Sequence, residues 1–204
     1  MKKIVILLSA ALVLLASAPA FAQASIGAGY LSSTEIWKSG NSSSESTPMN
    51  GFYAGVGFTV PVANGINFTP GIYYGFATKD NVVDVAGIFK INGGKQQDHY
   101  LNVPLDFSFA LDLSSDLRFF VYGGPSLSLA LASNLISGST TVNRLGENSD
   151  LNRFDIMLGG GLGVEVMNMF RINAGYDFGL LNRYQSSNYT VNRNQLYAGV
   201  AFLF

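Results

Sequence analysis

Apolar and polar residues alternate with a period of two along most of this chain, and that period is typical of β-strands. The stretch LNVPLDFSFAL, residues 101–111, has Leu, Val, Leu, Phe, Phe and Leu on one parity and Asn, Pro, Asp, Ser and Ala on the other. The same alternation predicts eight strands, at 24–33, 51–62, 66–78, 99–111, 117–132, 154–166, 170–181 and 194–204.

The connections between these strands alternate in length. Three are short, at 63–65, 112–116 and 167–169, and four are long and rich in Ser, Asn and Gly, at 34–50, 79–98, 133–153 and 182–193. Within the second long connection, VVDVAGIFKI is expected to form a short hairpin. Short turns at one end and long loops at the other are typical of an antiparallel up-and-down barrel, with the turns in the periplasm and the loops outside the cell.

The distribution of charge indicates which face of the strands points outwards. The apolar set of alternate residues, here called the apolar parity, forms one face of each strand and carries no charge within the strand cores. The other parity forms the opposite face and holds every strand-interior charge together with many Gly, Ser and Ala residues. An Arg or Lys facing lipid at mid-bilayer costs about 2–4 kcal/mol, and the lumen of an eight-stranded barrel is filled by its own side chains. We therefore predict an all-β fold, an eight-stranded transmembrane β-barrel of the outer-membrane type with its apolar face towards lipid.

Aromatic residues on the apolar parity support this orientation, because they fall into two groups near opposite strand ends, as in the aromatic girdles of membrane barrels. One group lies near the loops and contains Phe52, Tyr74, Phe76, Phe154, Tyr176 and Phe178. The other lies near the turns and contains Phe68, Phe107, Phe109, Phe119, Phe170, Phe202 and Phe204.

Three prolines interrupt the predicted strands, namely Pro70, Pro104 and Pro125. Proline has no N–H group to donate to a strand ladder. Each is therefore expected to mark a β-bulge or a locally opened strand pair.

Residues 1–22 have the features of a secretory signal peptide: two lysines, an apolar core and an Ala-Phe-Ala cleavage site. We predict a mature barrel domain at 23–204, exported to the bacterial outer membrane. The chain contains no Cys, and its formal net charge of −1 argues against binding to nucleic acid.

Several stretches resemble the small outer-membrane β-barrel domain family of Gram-negative bacteria, and in particular the PorT-like, OmpA-like and OmpX-like barrels. They are YLNVPLDFSF (100–109), FFVYGGPSLSL (119–129), FDIMLGGGLGVEV (154–166) and LYAGVAFLF (196–204). The resemblance implies an outer-membrane location and no shared catalytic residues. It also implies that Phe202 and Phe204 belong to a C-terminal signal for the barrel-assembly machinery.

The inward charges form the main candidate site, a lumen ionic network of Asp106, Arg118, Glu165, Arg171 and Asp177, with Asp155 nearby in sequence. Glu165 and Arg171 are symmetric about Asn168 and are expected to pair across a tight turn. Arg118 is expected to reach Asp106, or alternatively Glu165. Such a network either fills and stiffens the lumen or forms a narrow, weakly cation-preferring path or a proton-linked gate.

No catalytic, cofactor-binding or metal-binding residues are predicted, and we expect a protein that is not an enzyme. The one alternative is His99, preceded by Asp98, because some outer-membrane enzymes use a His and a Ser on the barrel exterior to cleave lipid A acyl chains. The glycine run at 159–163 continues as a strand rather than opening a helix, which argues against nucleotide binding.

The sequence therefore favours a structural or surface-interaction role, with any binding carried by the long loops, the first of which contains Trp37 and Lys38. The alternatives are a narrow small-solute channel and, from the PorT-like resemblance, an accessory of protein secretion. The expected partners are outer-membrane lipid, lipopolysaccharide, the barrel-assembly machinery and an extracellular ligand. We expect a monomer.

Overall fold

The computed structural model describes residues 22–39, 42–80, 94–145, 151–184 and 190–204, which form ten β-strands. Almost all of the predicted signal peptide, and the predicted hairpin at 82–91, lie outside the described residues. The strands are β1 (Gln23–Ser39), β2 (Ser42–Glu45), β3 (Met49–Ala63), β4 (Ile66–Asp80), β5 (Lys95–Asp112), β6 (Leu117–Ser137), β7 (Thr140–Asn143), β8 (Phe154–Val166), β9 (Phe170–Gly179) and β10 (Thr190–Leu203).

Eight of these strands form a closed antiparallel ring, which confirms the predicted barrel. Neighbours pair in the order β1, β3, β4, β5, β6, β8, β9 and β10, and β10 pairs back onto β1 from Ser25↔Leu203 to Lys38↔Thr190. The short strands β2 and β7 lie outside the ring and pair with the ends of β1 and β6. Closure leaves no unpaired edge in the ring.

The barrel has two different ends. At the turn end, the short connections predicted at 63–65, 112–116 and 167–169 are present, at 64–65, 113–116 and 167–169, and Ala24 and Phe204 exchange two backbone hydrogen bonds of 3.0 and 2.9 Å. At the loop end, β1, β5, β6 and β10 continue beyond their predicted bounds. These extensions were missed because several of their outward residues, such as Thr34 and Gln97, are polar, which interrupts the apolar half of the alternation.

The two faces of the ring are inverted relative to a soluble barrel. Outward apolar side chains such as Leu162 and Phe170 are 56% and 50% exposed, whereas inward charged residues such as Asp155 and Glu165 are 3% and 6% exposed. This arrangement confirms the predicted assignment of the apolar parity to the outside. Among the described residues, no helix is long and apolar enough to cross a membrane.

Aromatic rings form neighbouring pairs at both ends of the outward face. Near the loop end, Phe52 and Phe76 have ring centroids 5.7 Å apart, and Tyr176 lies 4.7 Å from Phe178. Near the turn end, Phe170 lies 5.7 Å from Phe202. The rings therefore occupy the two belts that the sequence predicts.

The prolines open strand pairs without changing the register. Pairing between β4 and β5 passes from Pro70↔Leu105 directly to Tyr73↔Asn102, and pairing between β5 and β6 passes from Pro104↔Ser126 to Phe107↔Gly123. The register shifts lie elsewhere, at Pro61–Ala63 and at His99–Tyr100. The prediction of locally opened pairs is therefore correct, and the bulges occur at other positions.

Candidate functional site in the barrel lumen

The turn-end layer of the lumen is an ionic cluster built on Glu165, whose side chain is 7% exposed. The tight turn after β8, with Met167 and Asn168 at φ of 55° and 53°, places Glu165 directly opposite Arg171, as predicted. Arg171 donates from Nε to the Glu165 carboxylate at 3.0 Å and from Nη2 to Thr59 Oγ1 at 3.0 Å. Arg118 approaches the other carboxylate oxygen of Glu165 at 3.4 Å.

Arg118 does not pair with Asp106, and the structure corrects this expectation. Its Nε donates to Asp112 at 2.6 Å, the residue opposite it across the β5–β6 ladder. Asp106 lies level with Gly124, six residues further along β6, and at about 3.3 Å per residue this is a distance of about 20 Å. Of the predicted ionic network, the structure therefore brings together Arg118, Glu165 and Arg171 and leaves Asp106 and Asp177 apart from them.

The middle layer is a cavity of about 120 Å³ that contains Asp106 and Asp177 in its wall. Asp177 is 9% exposed, and Tyr197 and Gln195 are its hydrogen-bonding neighbours. Other polar residues in the wall are Thr69, Asn102, Ser108, Ser126, Arg171 and Asn173. The lumen therefore contains an open space between its two ends, with polar groups and apolar side chains in its wall.

Four tyrosines pack around this cavity, and glycines on the neighbouring strands make room for them. Tyr53 forms edge contacts with Tyr73 and Tyr197, with ring centroids 5.8 and 6.2 Å apart. A Cβ atom on Gly175 would lie 2.5 Å from the Tyr197 hydroxyl and 2.6 Å from that of Tyr122, distances that van der Waals radii forbid. The small residues of the polar parity therefore serve to accommodate large inward rings, as the limited space of an eight-stranded barrel requires.

The loop-end layer contains a second ionic cluster, which the sequence analysis missed. Glu35, 6% exposed, lies on β1 and accepts a hydrogen bond from Arg183 Nη1 at 3.2 Å, with Arg144 Nη1 at 3.8 Å. Burial by itself lowers the pKa of the Arg183 guanidinium, but nearby Tyr100 and Glu35 outweigh it and raise the pKa above its ordinary value. The Glu35 carboxylate thus binds two chain segments to the barrel, the segment after β7 through Arg144 and the segment after β9 through Arg183.

Two further charged groups are deeply buried in this layer. Asp98, 0% exposed, accepts hydrogen bonds from Tyr100, from Ser133 at 2.7 Å and from Gln96 at 3.3 Å. Arg193, 1% exposed, crosses the lumen from β10: its Nη2 donates to Ser128 Oγ at 2.6 Å, and its guanidinium carbon lies 3.8 Å from the centroid of the Tyr100 ring. The Nε and Nη1 atoms of Arg193 have no partner among the described residues.

Three charged residues of this layer could have been found from the sequence if the strands had been predicted to be longer. Glu35, Asp98 and Arg193 continue the inward parity of β1, β5 and β10, each one or two residues beyond the predicted strand bound. Arg144 and Arg183 have no such signal, because they lie after β7 and β9, where the strand period no longer applies.

The remaining predicted residues lie on the outside of the barrel. His99 faces outwards near the loop end, where its Nδ1 lies 2.5 Å from the Tyr74 hydroxyl and its ring packs against Phe76. Phe202 and Phe204 are 39% and 70% exposed at the turn end. Their role as an assembly signal stays a prediction. Among the described residues, no group of three or more acidic, His or Cys side chains is placed to hold a metal ion.

A family model described as "outer membrane protein beta-barrel domain" matches residues 21–185. A comparison with curated proteins gives no match.

A solved structure shows the same fold at low identity, and two others are similar at lower TM-scores. Ail, the attachment invasion locus protein of Yersinia pestis, is 14% identical over 89% of this chain and 98% of its own, with a TM-score of 0.50. Neisserial surface protein A is 14% identical over 88% and 97%, with a TM-score of 0.48, and the N-terminal β-barrel domain of Pseudomonas aeruginosa OprF is 11% identical over 86% and 97%, with a TM-score of 0.38. At these identities the likeness concerns the fold alone.

Proposed function

Because this chain belongs to the outer membrane protein beta-barrel domain family, we propose that it is an integral outer-membrane barrel with a structural or surface-interaction role, carried by its loop end outside the cell. The observation that carries this proposal is the construction of the loop end. There the strands continue past the apolar band, and the Glu35 cluster holds two connections to the barrel wall. Binding surfaces are commonly loops held by rigid scaffolds.

The orientation is tested by epitope insertion. A tag at Gly138, in the exposed turn between β6 and β7, is expected to be labelled by antibody on intact cells. The matched control is the same tag at Asn64, in the exposed turn between β3 and β4 at the turn end, which should be labelled only after the cells are permeabilised. Labelling of the Asn64 tag alone on intact cells would contradict the proposed orientation.

The surface role is tested by trimming the loop end. Replacing β2 and β7 with Gly-Ser linkers removes two exposed arms outside the ring and leaves the eight-stranded ring unchanged. Cells that display the intact protein should be retained on a panel of immobilised extracellular-matrix proteins and glycans more strongly than cells that display the trimmed protein. Equal retention by both, with equal surface labelling, would argue against a surface-interaction role.

The rival function, a narrow small-solute channel, draws support from the cavity of about 120 Å³ in the middle of the lumen. Against it stand the charged clusters at both ends of that cavity. Planar-bilayer recording distinguishes the channel from the surface role, for which we expect no sustained single-channel steps from the wild-type protein.

A role as a secretion accessory rests on the PorT-like resemblance alone and stays a prediction.

A further inference from the structure

The three layers of the lumen differ in how their charges are balanced. In the loop-end layer, Glu35, Asp98 and Asp155 are accompanied by Arg144, Arg183 and Arg193, with half-buried Lys79 at the rim. In the turn-end layer, Asp112 and Glu165 are accompanied by Arg118 and Arg171. In the middle layer, Asp106 and Asp177 repel each other, and neither forms an ion pair with a described residue. Among the described residues, the wall of this layer contains one cation, Arg171, and its guanidinium is paired with Glu165.

The backbone holds these two carboxylates at the cavity wall. Asp106 on β5 and Asp177 on β9 flank a paired glycine step, Gly124↔Gly159, on β6 and β8. A Cβ atom on Gly124 would lie 2.8 Å from the Asp106 Cα, and one on Gly159 would lie 2.7 Å from the Asp177 Cα. Because only glycine fits at both positions, neither β6 nor β8 places a side chain between the two carboxylates at this level.

The chemistry of the cavity fits a small hydrated cation. A cavity of about 120 Å³ has room for an ion with several water molecules, since one water needs only about 10–15 Å³. Asn102, Asn173 and Gln195 add neutral oxygen atoms to the two carboxylates. Alkali cations accept such oxygen ligands, and the surrounding tyrosine rings favour positive charge near their faces.

Arg193 separates this cavity from the loop end. Its guanidinium spans the barrel from β10 to Ser128 on β6 and covers the Tyr100 ring of β5, which leaves it 1% exposed. A buried guanidinium with two unpartnered nitrogen atoms is costly, and Asp177 is near enough to interact with its charge. A fixed positive charge at this position opposes the passage of any cation between the loop end and the cavity.

We propose that the middle of the lumen is a compartment for a hydrated alkali cation and that Arg193 is the barrier that closes it towards the loop end. The compartment is bounded at the turn end by the pair of Arg171 and Glu165, beside which the Phe120 ring lies 5.2 Å from the Arg171 guanidinium carbon. This inference goes beyond the surface role, and its test does not depend on any surface ligand.

Planar-bilayer recording across a KCl gradient tests the barrier. The wild-type protein should show few or no steps, and Arg193→Ala should raise the conducting fraction more than about tenfold, because the variant lacks the buried positive charge that repels an approaching cation. Ser128→Ala, which leaves Arg193 in place but removes its hydrogen bond, should give brief openings. Lys38→Ala, an exposed cation outside the lumen, is the matched control and should behave as wild type.

Reversal potentials test the compartment itself. In the Arg193→Ala background the current should be carried by K⁺, and adding Asp106→Asn and Asp177→Asn should abolish that preference. Steps without cation preference in Arg193→Ala would overturn the cation compartment. An Arg193→Ala protein that shows the boiled-versus-unboiled gel shift of a folded barrel but does not conduct, even when Arg171→Ala is added to open the turn end, would overturn the barrier. If Arg193→Ala does not fold, Arg193→Gln removes the same charge with a smaller loss of volume, and its recordings decide in the same way.

Discussion

The two ends of the lumen use the same arrangement, one glutamate between two arginines, in different surroundings. At the turn end, Glu165 joins Arg171 and Arg118, whose side chains are 15% and 38% exposed. At the loop end, Glu35 joins Arg183 and Arg144, whose side chains are 3% and 9% exposed. The turn-end arginines can reach water if their partner is removed, and the loop-end arginines cannot.

The same ionic contacts therefore have different energetic consequences at the two ends. Removing one partner of a buried ion pair leaves an uncompensated charge and typically costs about 3–5 kcal/mol, whereas exposed pairs contribute about 0–1 kcal/mol. We therefore expect the loop-end cluster to limit the stability of the folded barrel, and the turn-end cluster to tolerate substitution.

The largest effect is expected for Glu35→Ala, which leaves two buried arginines without their shared carboxylate. The free energy of unfolding should fall by about 3–5 kcal/mol. Urea unfolding in detergent micelles measures it, because Trp37, the single Trp of the chain, lies two residues from Glu35 and reports on this end. Glu45→Ala, on the exposed strand β2, is the control, and equal stability of the two variants would refute the comparison.

A smaller effect is expected for Glu165→Ala at the turn end. The lost charge-assisted hydrogen bonds of Arg171 and Arg118 should cost about 1–3 kcal/mol, because both arginines can be rehydrated at the open end of the barrel. The midpoint temperature of the boiled-versus-unboiled gel shift, relative to an Asp116→Ala control in the exposed 113–116 turn, measures it. A loss as large as that of Glu35→Ala would show that burial does not distinguish the two clusters.

The smallest effect is expected for Arg118→Ala, since this side chain is 38% exposed and Arg171 still pairs with Glu165. The free energy of unfolding should fall by about 0.2–1 kcal/mol, and the loss should shrink at high salt. Lys95→Ala, which breaks the exposed pair with Asp80 at the loop end, should cost a similar amount. A salt-independent loss of several kcal/mol would mean that Arg118 acts as a buried charge.

A fourth variant, Gly175→Leu, examines the tyrosine layer between the two clusters. The leucine has no room beside the Tyr122 and Tyr197 hydroxyls, so we expect a loss of about 1–3 kcal/mol or failure to fold. The matched control is Ala174→Leu, one residue away on the exposed outward face. Similar gel-shift midpoints for the two variants would contradict the packing of tyrosines against glycines.

The turn-end cluster was largely predictable because it depends on local pairing. A tight turn at 167–169 sets the register of β8 and β9, and the register places Glu165 against Arg171. The partner of Asp106 was predicted wrongly, because the sequence does not show how far apart two inward residues lie along the barrel axis. The register of β5 against β6 decides that distance.

The loop-end cluster was not predictable in the same way. Glu35 is separated by 148 residues from Arg183, and their contact depends on the closure of β1 onto β10 and on the course of the connection after β9. Strand periodicity carries no information about such a contact.

Patterns in the sequence were sufficient to assign the fold class of this protein: period two indicates strands, the placement of charge indicates the outward face, and connection lengths indicate the up-and-down order. These properties are local, since each depends on neighbours a few residues apart. The closed ring determined which inward charges meet, that Asp106 and Asp177 line a cavity without forming an ion pair among the described residues, and that Arg193 lies across the lumen. Those outcomes depend on strand stagger around a closed ring, which couples residues that are far apart in the chain.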